Sequence, residues 1–227
     1  MLIESFINFL DKNYHHKRII NFLKNYKIDL IIDVGSHKGE FLLNIINYLT
    51  FKKAYSFEPQ IEVFDILKKK LNNNEKIIYN NIALSNIIGK KRIIINKLTS
   101  TSSLSDLNQT SFFLKIKNFL LKQKNNELKS YEVKTDTVDN YFKEIDVRNS
   151  LIKIDVEGYE LNVLKGSKDL IKKINFILIE NQFFNIYKNN SQKECHEFLI
   201  DNKFKLIKKF RFPLLHFEDR LYKNDLL

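Results

Sequence analysis

The residues best suited to chemistry in the first part of the chain are an acid and two glycines, Asp33, Gly35 and Gly39. Asp33 ends a near-continuous apolar run that begins at Ile28, a pattern typical of a strand buried on both faces of a parallel sheet. Apolar residues with helical spacing begin just after Gly39. Because glycine has no Cβ, a glycine turn between strand and helix lets the backbone approach a ligand closely. The pattern predicts a small-molecule site at the end of the first strand.

The spacing of the glycines indicates which ligand this site would bind. Turns that bind dinucleotides use G-x-G-x-x-G, whereas His37 and Glu40 stand where the second and third glycines would be. The spacing here, D-x-G-x-x-x-G, is instead typical of S-adenosylmethionine binders. Glu58 ends the second predicted strand, where a carboxylate can accept hydrogen bonds from both ribose hydroxyls. We therefore expect S-adenosylmethionine as the cofactor, with its ribose on Glu58.

Further acids follow the later predicted strands. Asp155 and Glu180 end two of them, and Glu157 comes just after Asp155. The carboxyl ends of parallel strands meet at one edge of a sheet, which is where open α/β sheets bind ligands. In a chain of net charge +11, these acids would create a local negative field that suits a cationic ligand. We expect Lys153 to balance their charge rather than to act as a catalyst.

The order of the predicted elements indicates an α/β fold. Strands and helices alternate over residues 28–79, which predicts a mostly parallel, doubly wound sheet. After an extra strand at 92–95, residues 131–134 are expected to resume this sheet. Residues 205–210 and 214–221 are expected to form an antiparallel hairpin at its edge.

The chain divides into an N-terminal helical extension, residues 1–26, and one domain, residues 27–227. An amphipathic helix is predicted at 2–10 within the extension. The domain carries a polar insertion at 97–130, with one helical pattern near 112–122. An excursion of this length inside a compact domain is usually functional, so we expect a lid or an acceptor-binding loop.

The stretch Lys153–Glu160 resembles the signature of the FkbM methyltransferases. Other blocks of that family occur in order, so the resemblance covers roughly residues 28–180: Asp33–Gly39, Phe57–Pro59, Asn81–Leu84 with Gly89, Ser102–Leu104, Thr135–Asp139 and Ile179–Glu180. The resemblance implies a Rossmann-like, seven-stranded methyltransferase fold and methyl transfer to a hydroxyl oxygen. Tyr159 stands where the family often has histidine, which would alter the contacts with the acceptor.

The resemblance also implies roles for individual residues. Asp33, Gly35 and Gly39 would hold the amino-acid end of the cofactor. Asn81 and Ala83 would flank its adenine.

On the acceptor side, the resemblance implies that Asp155 faces the transferred methyl group. A sugar hydroxyl is a poor nucleophile and needs a base, and Asp155 or Glu157 could supply it. A divalent cation held by Asp155 and Glu180 is the alternative way to activate the hydroxyl. The sequence leaves both possibilities open.

The expected acceptor is a small molecule or a carbohydrate, for example in polysaccharide biosynthesis. The alternative is an RNA or other nucleic-acid methyltransferase, which the positive charge favours. Amino-methylating DNA enzymes have a double-proline block, whereas this chain has only Pro59 and Pro213. A cofactor-binding subunit without activity is a further alternative, and its mark would be a missing cofactor acid. Asp33, Glu58 and Asp155 are all present.

The composition is that of an ordinary globular protein, with 44% hydrophobic and 29% charged residues. The single cysteine, Cys195, excludes an internal disulfide and fits a reducing compartment. The first ten residues lack the basic start and cleavage site of a signal peptide. No apolar run approaches the roughly 18 residues of a membrane span. We therefore expect a cytoplasmic protein.

Overall fold

The structure is a computed structural model that describes residues 14–95, 129–183, 191–213 and 217–227. The predicted helix at 2–10 and residues 97–128 of the insertion lie outside the described residues. The helices are α1 (His16–Leu23), α2 (Glu40–Tyr48), α3 (Ile61–Lys70), α4 (Val138–Tyr141), α5 (Glu160–Lys165) and α6 (Gln192–Asp201), with a 3-10 helix at Leu170–Lys173. The strands are β1 (Leu30–Val34), β2 (Lys53–Phe57), β3 (Ile77–Asn80), β4 (Ala83–Leu84), β5 (Gly89–Ile95), β6 (Lys129–Asp136), β7 (Ser150–Ile154), β8 (Phe176–Gln182), β9 (Phe204–Arg211) and β10 (Phe217–Asn224).

The central sheet has seven strands in the order β3-β2-β1-β7-β8-β10-β9. The strands from β3 to β8 in this order pair in parallel, and β10 runs antiparallel to both β8 and β9. The strand order reverses between β1 and β7, and such switch points form ligand-binding crevices. The predicted Rossmann-like, doubly wound sheet with an antiparallel edge hairpin is confirmed.

Helices cover both faces of the sheet because its central strands are apolar on both sides. All five residues of β1 are buried. Ile32 and Val34 contribute to the core on one face, and Ile31 contributes to the core on the other. Within the described parts of the chain, no helix is both long and apolar enough to cross a membrane.

Helix α1 packs into the second of these cores. Its residues Ile19, Ile20 and Leu23 are completely buried, because spacings of three and four place them on one helical face. Burying one such side chain contributes about 1.5–3 kcal/mol. Just before the helix, Nε2 of His15 lies 2.7 Å from Oδ2 of Asp219 on β10. Apolar packing and a polar contact therefore both join α1 to the sheet.

The prediction that residues 131–134 resume the central sheet is wrong. They belong to β6, the middle strand of a separate three-stranded sheet in the order β4-β6-β5. The burial pattern gives the physical reason, since Val133 is buried between the exposed residues Glu132 and Lys134. Such alternation suits a sheet covered on one face, whereas the central parallel strands are covered on both.

Candidate functional site

The four predicted acids lie at the carboxyl edge of the central sheet. Asp33 is the penultimate residue of β1, and Glu180 lies near the end of β8. Glu58 follows β2, and Asp155 follows β7. Burial raises the pKa of both Asp33 and Glu180, and the nearby charge of Asp155 raises both further. Acidic groups therefore lie close together at this edge, and their charged forms disfavour one another.

A tight turn joins β1 to α2 at this edge. Gly35, His37 and Gly39 all have positive φ angles, of 83°, 46° and 79°. The backbone N–H groups of Gly35 and Ser36 both donate to the carbonyl oxygen of Phe57, each at 3.0 Å. These bonds attach the turn to the end of β2, so the β1 turn and the β2 acid form one unit.

Close packing explains why this turn carries glycines. A Cβ on Gly35 would lie 1.9 Å from the carbonyl oxygen of Asp155, and a Cβ on Gly39 would lie 2.6 Å from Cδ1 of Leu67 on α3. Both positions also have the left-handed φ that glycine tolerates. Besides the approach of a ligand, contacts with the loop after β7 and with α3 therefore favour glycine at these positions.

Glu58, which follows β2, is held against this turn. The residue is 3% exposed, and its carboxylate accepts hydrogen bonds from the backbone N–H of His37 at 3.0 Å and of Gln60 at 2.8 Å. Burial raises the pKa of Glu58 to about 7, against the effect of these bonds, which lower it. The carboxylate is thus held in one orientation and titrates near neutral pH.

Of the two residues expected to flank the adenine, only Asn81 is seen in contact with Glu58. Nδ2 of Asn81 donates to the carbonyl oxygens of Glu58 and Pro59, at 2.8 and 3.0 Å. Ala83 is buried among Ile93 and Val133 in the small sheet. Asn81 therefore shapes the backbone after β2, and the adenine contact stays a prediction for both residues.

Lys153 pairs with two acids of the edge. Its Nζ lies 2.8 Å from Oδ2 of Asp155 and 3.9 Å from Oδ1 of Asp33. Burial would lower the pKa of Lys153, but Asp155, Asp33 and Asp219 outweigh it and raise the pKa above its ordinary value. The expected role in balancing charge agrees with this geometry.

Glu157 and Glu180 are linked by a residue that the sequence analysis did not identify. Nε2 of Gln182 donates to Oε2 of Glu157 and to Oε1 of Glu180, each at 2.9 Å. Glu157 has a positive φ of 54°, which is uncommon outside glycine and often marks a functional loop. Burial raises the pKa of Glu180 well above its ordinary value, with further contributions from Asp155, Glu157 and Asp219.

Glu160 is a second residue that the sequence analysis missed. Its Oε1 accepts hydrogen bonds from the backbone N–H groups of Val156 at 3.3 Å and Gly158 at 2.9 Å. Burial raises the pKa of Glu160 to about 7. Acids are favoured in the first turn of a helix, and here Glu160 also holds the loop that carries Asp155 and Glu157.

Tyr159, where the family often has histidine, contacts the small sheet. Its hydroxyl forms hydrogen bonds with Ser85, at 3.1 Å, and with Lys91. The ring is 6% exposed. Tyr159 therefore connects the loop after β7 to strand β5.

The donor set for a divalent cation is incomplete in the part of the chain that the structure describes. No group of three or more histidine, cysteine or acidic residues there could hold a metal ion. Asp155 contacts an ammonium group, and Glu180 accepts a hydrogen bond from an amide. These residues do not fit a metal centre.

A seven-stranded sheet in this order, with a glycine turn after β1 and acids after β2 and β7, defines the class of Rossmann-like methyltransferases. The chain belongs to the FkbM methyltransferase family, because the model of the methyltransferase FkbM domain matches residues 33–211. The family predicted from the sequence is confirmed. Among curated proteins, none matches this chain.

Solved structures support the fold. A methyltransferase FkbM from Methylobacillus flagellatus aligns with a TM-score of 0.54 and 16% identity, over 87% of this chain and 44% of that one. This chain thus spans less than half of that protein's length. A proposed tRNA methyltransferase from Streptococcus pneumoniae, in complex with S-adenosyl-L-methionine, aligns with a TM-score of 0.51 and 12% identity, over 91% and 72%. A SAM-dependent methyltransferase from Aquifex aeolicus aligns with a TM-score of 0.50 and 11% identity, over 95% and 93%.

Proposed function

We propose that this protein is an S-adenosylmethionine-dependent methyltransferase that methylates a hydroxyl oxygen of a small molecule or a sugar, with residues 27–227 as the catalytic domain. The observation that carries the proposal is that Glu58 and Asp155 both contact the turn after β1. Glu58 is bonded to this turn, and the backbone of Asp155 packs against it. A nucleoside on Glu58 would therefore be held next to an acid able to act on an acceptor.

The residues fit the cofactor at both of its ends. A carboxylate offers about four acceptor positions, and the two backbone N–H groups on Glu58 leave capacity for the ribose hydroxyls. Both carboxylate oxygens of Asp33 are buried and receive no hydrogen bond from the residues described. Such an acid suits the ammonium group of the cofactor. S-adenosylmethionine, when bound, supplies a methyl group on a positively charged sulfur.

The acids after β7 and β8 would serve the acceptor. Transfer to a hydroxyl needs a group that takes the hydroxyl proton, and a carboxylate in hydrogen-bond reach can do this. We assign Asp155, whose side chain is 30% exposed, as the base that accepts the hydroxyl proton. Glu157 is the alternative base. Glu180, with its raised pKa, would orient the acceptor hydroxyl. The main task of the site is to align the acceptor with the methyl group.

Calorimetry with S-adenosylmethionine, S-adenosylhomocysteine and NADH tests the cofactor assignment. We expect the first two to bind and NADH not to bind, and binding of NADH alone would refute the proposal. Transfer of radiolabelled methyl to a panel of monosaccharides, polysaccharides and phenols then tests the acceptor class. Lys172→Met, a change at an exposed residue of the 3-10 helix, should behave like the wild type in both assays.

A nucleic-acid acceptor is the second candidate. Lys90, Arg92 and Lys134 are exposed together on the small sheet, because β5 and β6 pair Lys90 with Lys134. Glu132, the partner of Arg92 in register, lies among them, 3.9 Å from Nζ of Lys90. Basic faces of this kind bind phosphate backbones. A salt-sensitive gel shift with RNA, together with methyl transfer to RNA but to no sugar, would favour this candidate.

The one cysteine of the chain agrees with action in the cytoplasm in either case.

A further inference from the structure

A row of charged side chains, staggered by two residues between β7 and β8, lies on four neighbouring strands near the carboxyl edge. Its members are Asp33, Lys153, Glu180 and Asp219, on β1, β7, β8 and β10. Asp33 is paired in register with Lys153, and Glu180 with Asp219. The row faces the core that contains α1, because residues two positions earlier or later on these strands belong to that core: Ile31, Leu151, Leu178 and Leu221.

Lys153 is the cation of this row, and it is almost completely enclosed. Its side chain is 6% exposed, and Nζ lies 5.3 Å from the centroid of the Phe41 ring. A buried ammonium is costly unless it is paired. Its partners are Asp155 at 2.8 Å and Asp33 at 3.9 Å, which are the acids assigned to the acceptor and to the cofactor.

We propose that Lys153 is a positioning residue that holds the Asp155 carboxylate at the edge of the sheet and compensates its charge next to the cofactor's sulfur. This inference rests on the proposed function. The contact uses Oδ2 of Asp155, and we assign the other oxygen to the proton of the acceptor hydroxyl. A carboxylate at the end of a strand, 30% exposed, has rotational freedom that this contact removes.

The same ammonium balances Asp33 beneath it. Asp33 is completely buried, and an uncompensated charge there would be strongly destabilising. One side chain thereby compensates both the acid assigned to the cofactor and the acid assigned to the acceptor. Without Lys153, Asp155 would present its full negative charge to the sulfonium.

A double-mutant cycle between Lys153 and Asp155 tests the inference without an acceptor. The dissociation constants of S-adenosylmethionine and S-adenosylhomocysteine are measured by calorimetry for the wild type, Lys153→Met, Asp155→Asn and the double variant. The two ligands differ in charge at sulfur, so the ratio of their affinities reports the local field. We expect Lys153→Met to raise the preference for the sulfonium ligand about threefold or more. In the Asp155→Asn background the same substitution should shift the ratio by less, because only the direct effect of the Lys153 charge on the sulfur remains.

A general loss of structure would weaken both ligands alike and would not move the ratio. Lys172→Met is the control and should also leave the ratio at the wild-type value. An unchanged ratio in Lys153→Met, or the same shift in both backgrounds, overturns the inference. If Lys153→Met does not fold, the cycle is repeated with Lys153→Gln, which removes the charge but keeps a hydrogen-bond donor for Asp155.

Ligand binding by the wild type distinguishes a failure of the proposed function from a failure of the role of Lys153. If the wild type binds neither ligand, the proposed function fails and this inference falls with it. If the wild type binds both ligands and the cycle shows no coupling, only the role of Lys153 is refuted.

Discussion

The α-carbon of Gly35 lies so close to Asp155 that a Cβ there would stand 1.9 Å from the Asp155 carbonyl oxygen. The cofactor turn after β1 and the proposed catalytic loop after β7 are therefore in direct backbone contact. We expect Gly35→Ala to lower the free energy of unfolding by about 3 kcal/mol or more, from steric overlap and a strained φ together. Urea unfolding measures this change.

Gly89→Ala is the matched control for this substitution. Gly89 also has a positive φ, of 144°, but a Cβ there would meet nothing within 4 Å. We expect it to cost only the conformational strain, about 1–3 kcal/mol. Equal losses in the two variants would show that the contact with Asp155 is not what requires glycine.

Glu58→Gln should weaken S-adenosylmethionine and S-adenosylhomocysteine alike, by about 1–3 kcal/mol, because a charged acceptor of ribose hydrogen bonds is lost. The Glu58 carboxylate, with its pKa of about 7, must be ionised to accept those bonds. Wild-type affinity should therefore rise by up to about tenfold from pH 6 to pH 8. Calorimetry at both pH values should show a weaker pH dependence in Glu58→Gln.

Glu62→Gln, at an exposed position on α3, is the control and should behave like the wild type. An unchanged affinity in Glu58→Gln would remove the ribose assignment.

Asp155→Asn should reduce turnover by about 10²–10⁴-fold, the usual contribution of a general base. Cofactor affinity should change far less, because the amide keeps the shape of the carboxylate. Steady-state rates and calorimetric affinities on the same preparations separate the two effects. Asp65→Asn, an exposed change on α3, is the control. Near-normal turnover in Asp155→Asn would move the base to Glu157, and activity lost to a chelator but restored by a divalent cation would revive a metal site.

Glu160→Gln should make stability less dependent on pH. The pKa of Glu160 is about 7 in the folded protein and 4.5 is its ordinary value. A raised folded pKa contributes stability that is complete below pH 4.5 and is lost as the pH rises through 7. From pH 5 to pH 8 the wild type should lose about 2–3 kcal/mol on account of this group.

Urea unfolding of both proteins at pH 5 and pH 8 measures the effect of Glu160. Glutamine keeps the oxygen that accepts from Val156 and Gly158, so the loop should stay in place. Taking the difference between the two proteins cancels the other titrating groups. The same pH dependence in both proteins would mean that folding does not raise the pKa of Glu160.

The sequence by itself determined the class of fold and the edge at which the acids meet. The apolar run that ends at Asp33 is typical of a strand covered on both faces, and alternation of such strands with helices leads to a parallel sheet. Residues at the carboxyl ends of parallel strands must share one edge. Asp33, Glu58, Asp155 and Glu180 could therefore be placed together from strand ends alone.

Only the tertiary structure decided which groups touch at that edge. Periodicity shows that a residue is buried but not against what, since the partner is chosen by the packing of elements distant in sequence. His15 meets Asp219 across 204 positions, and Gly35 meets the backbone of Asp155. Strand β6 was misplaced for the same reason: its pattern predicts a strand, but pairing with β5 put it in a second sheet. The contact of Lys153 with Asp33 depends on β1 lying beside β7, which no local pattern in either strand specifies.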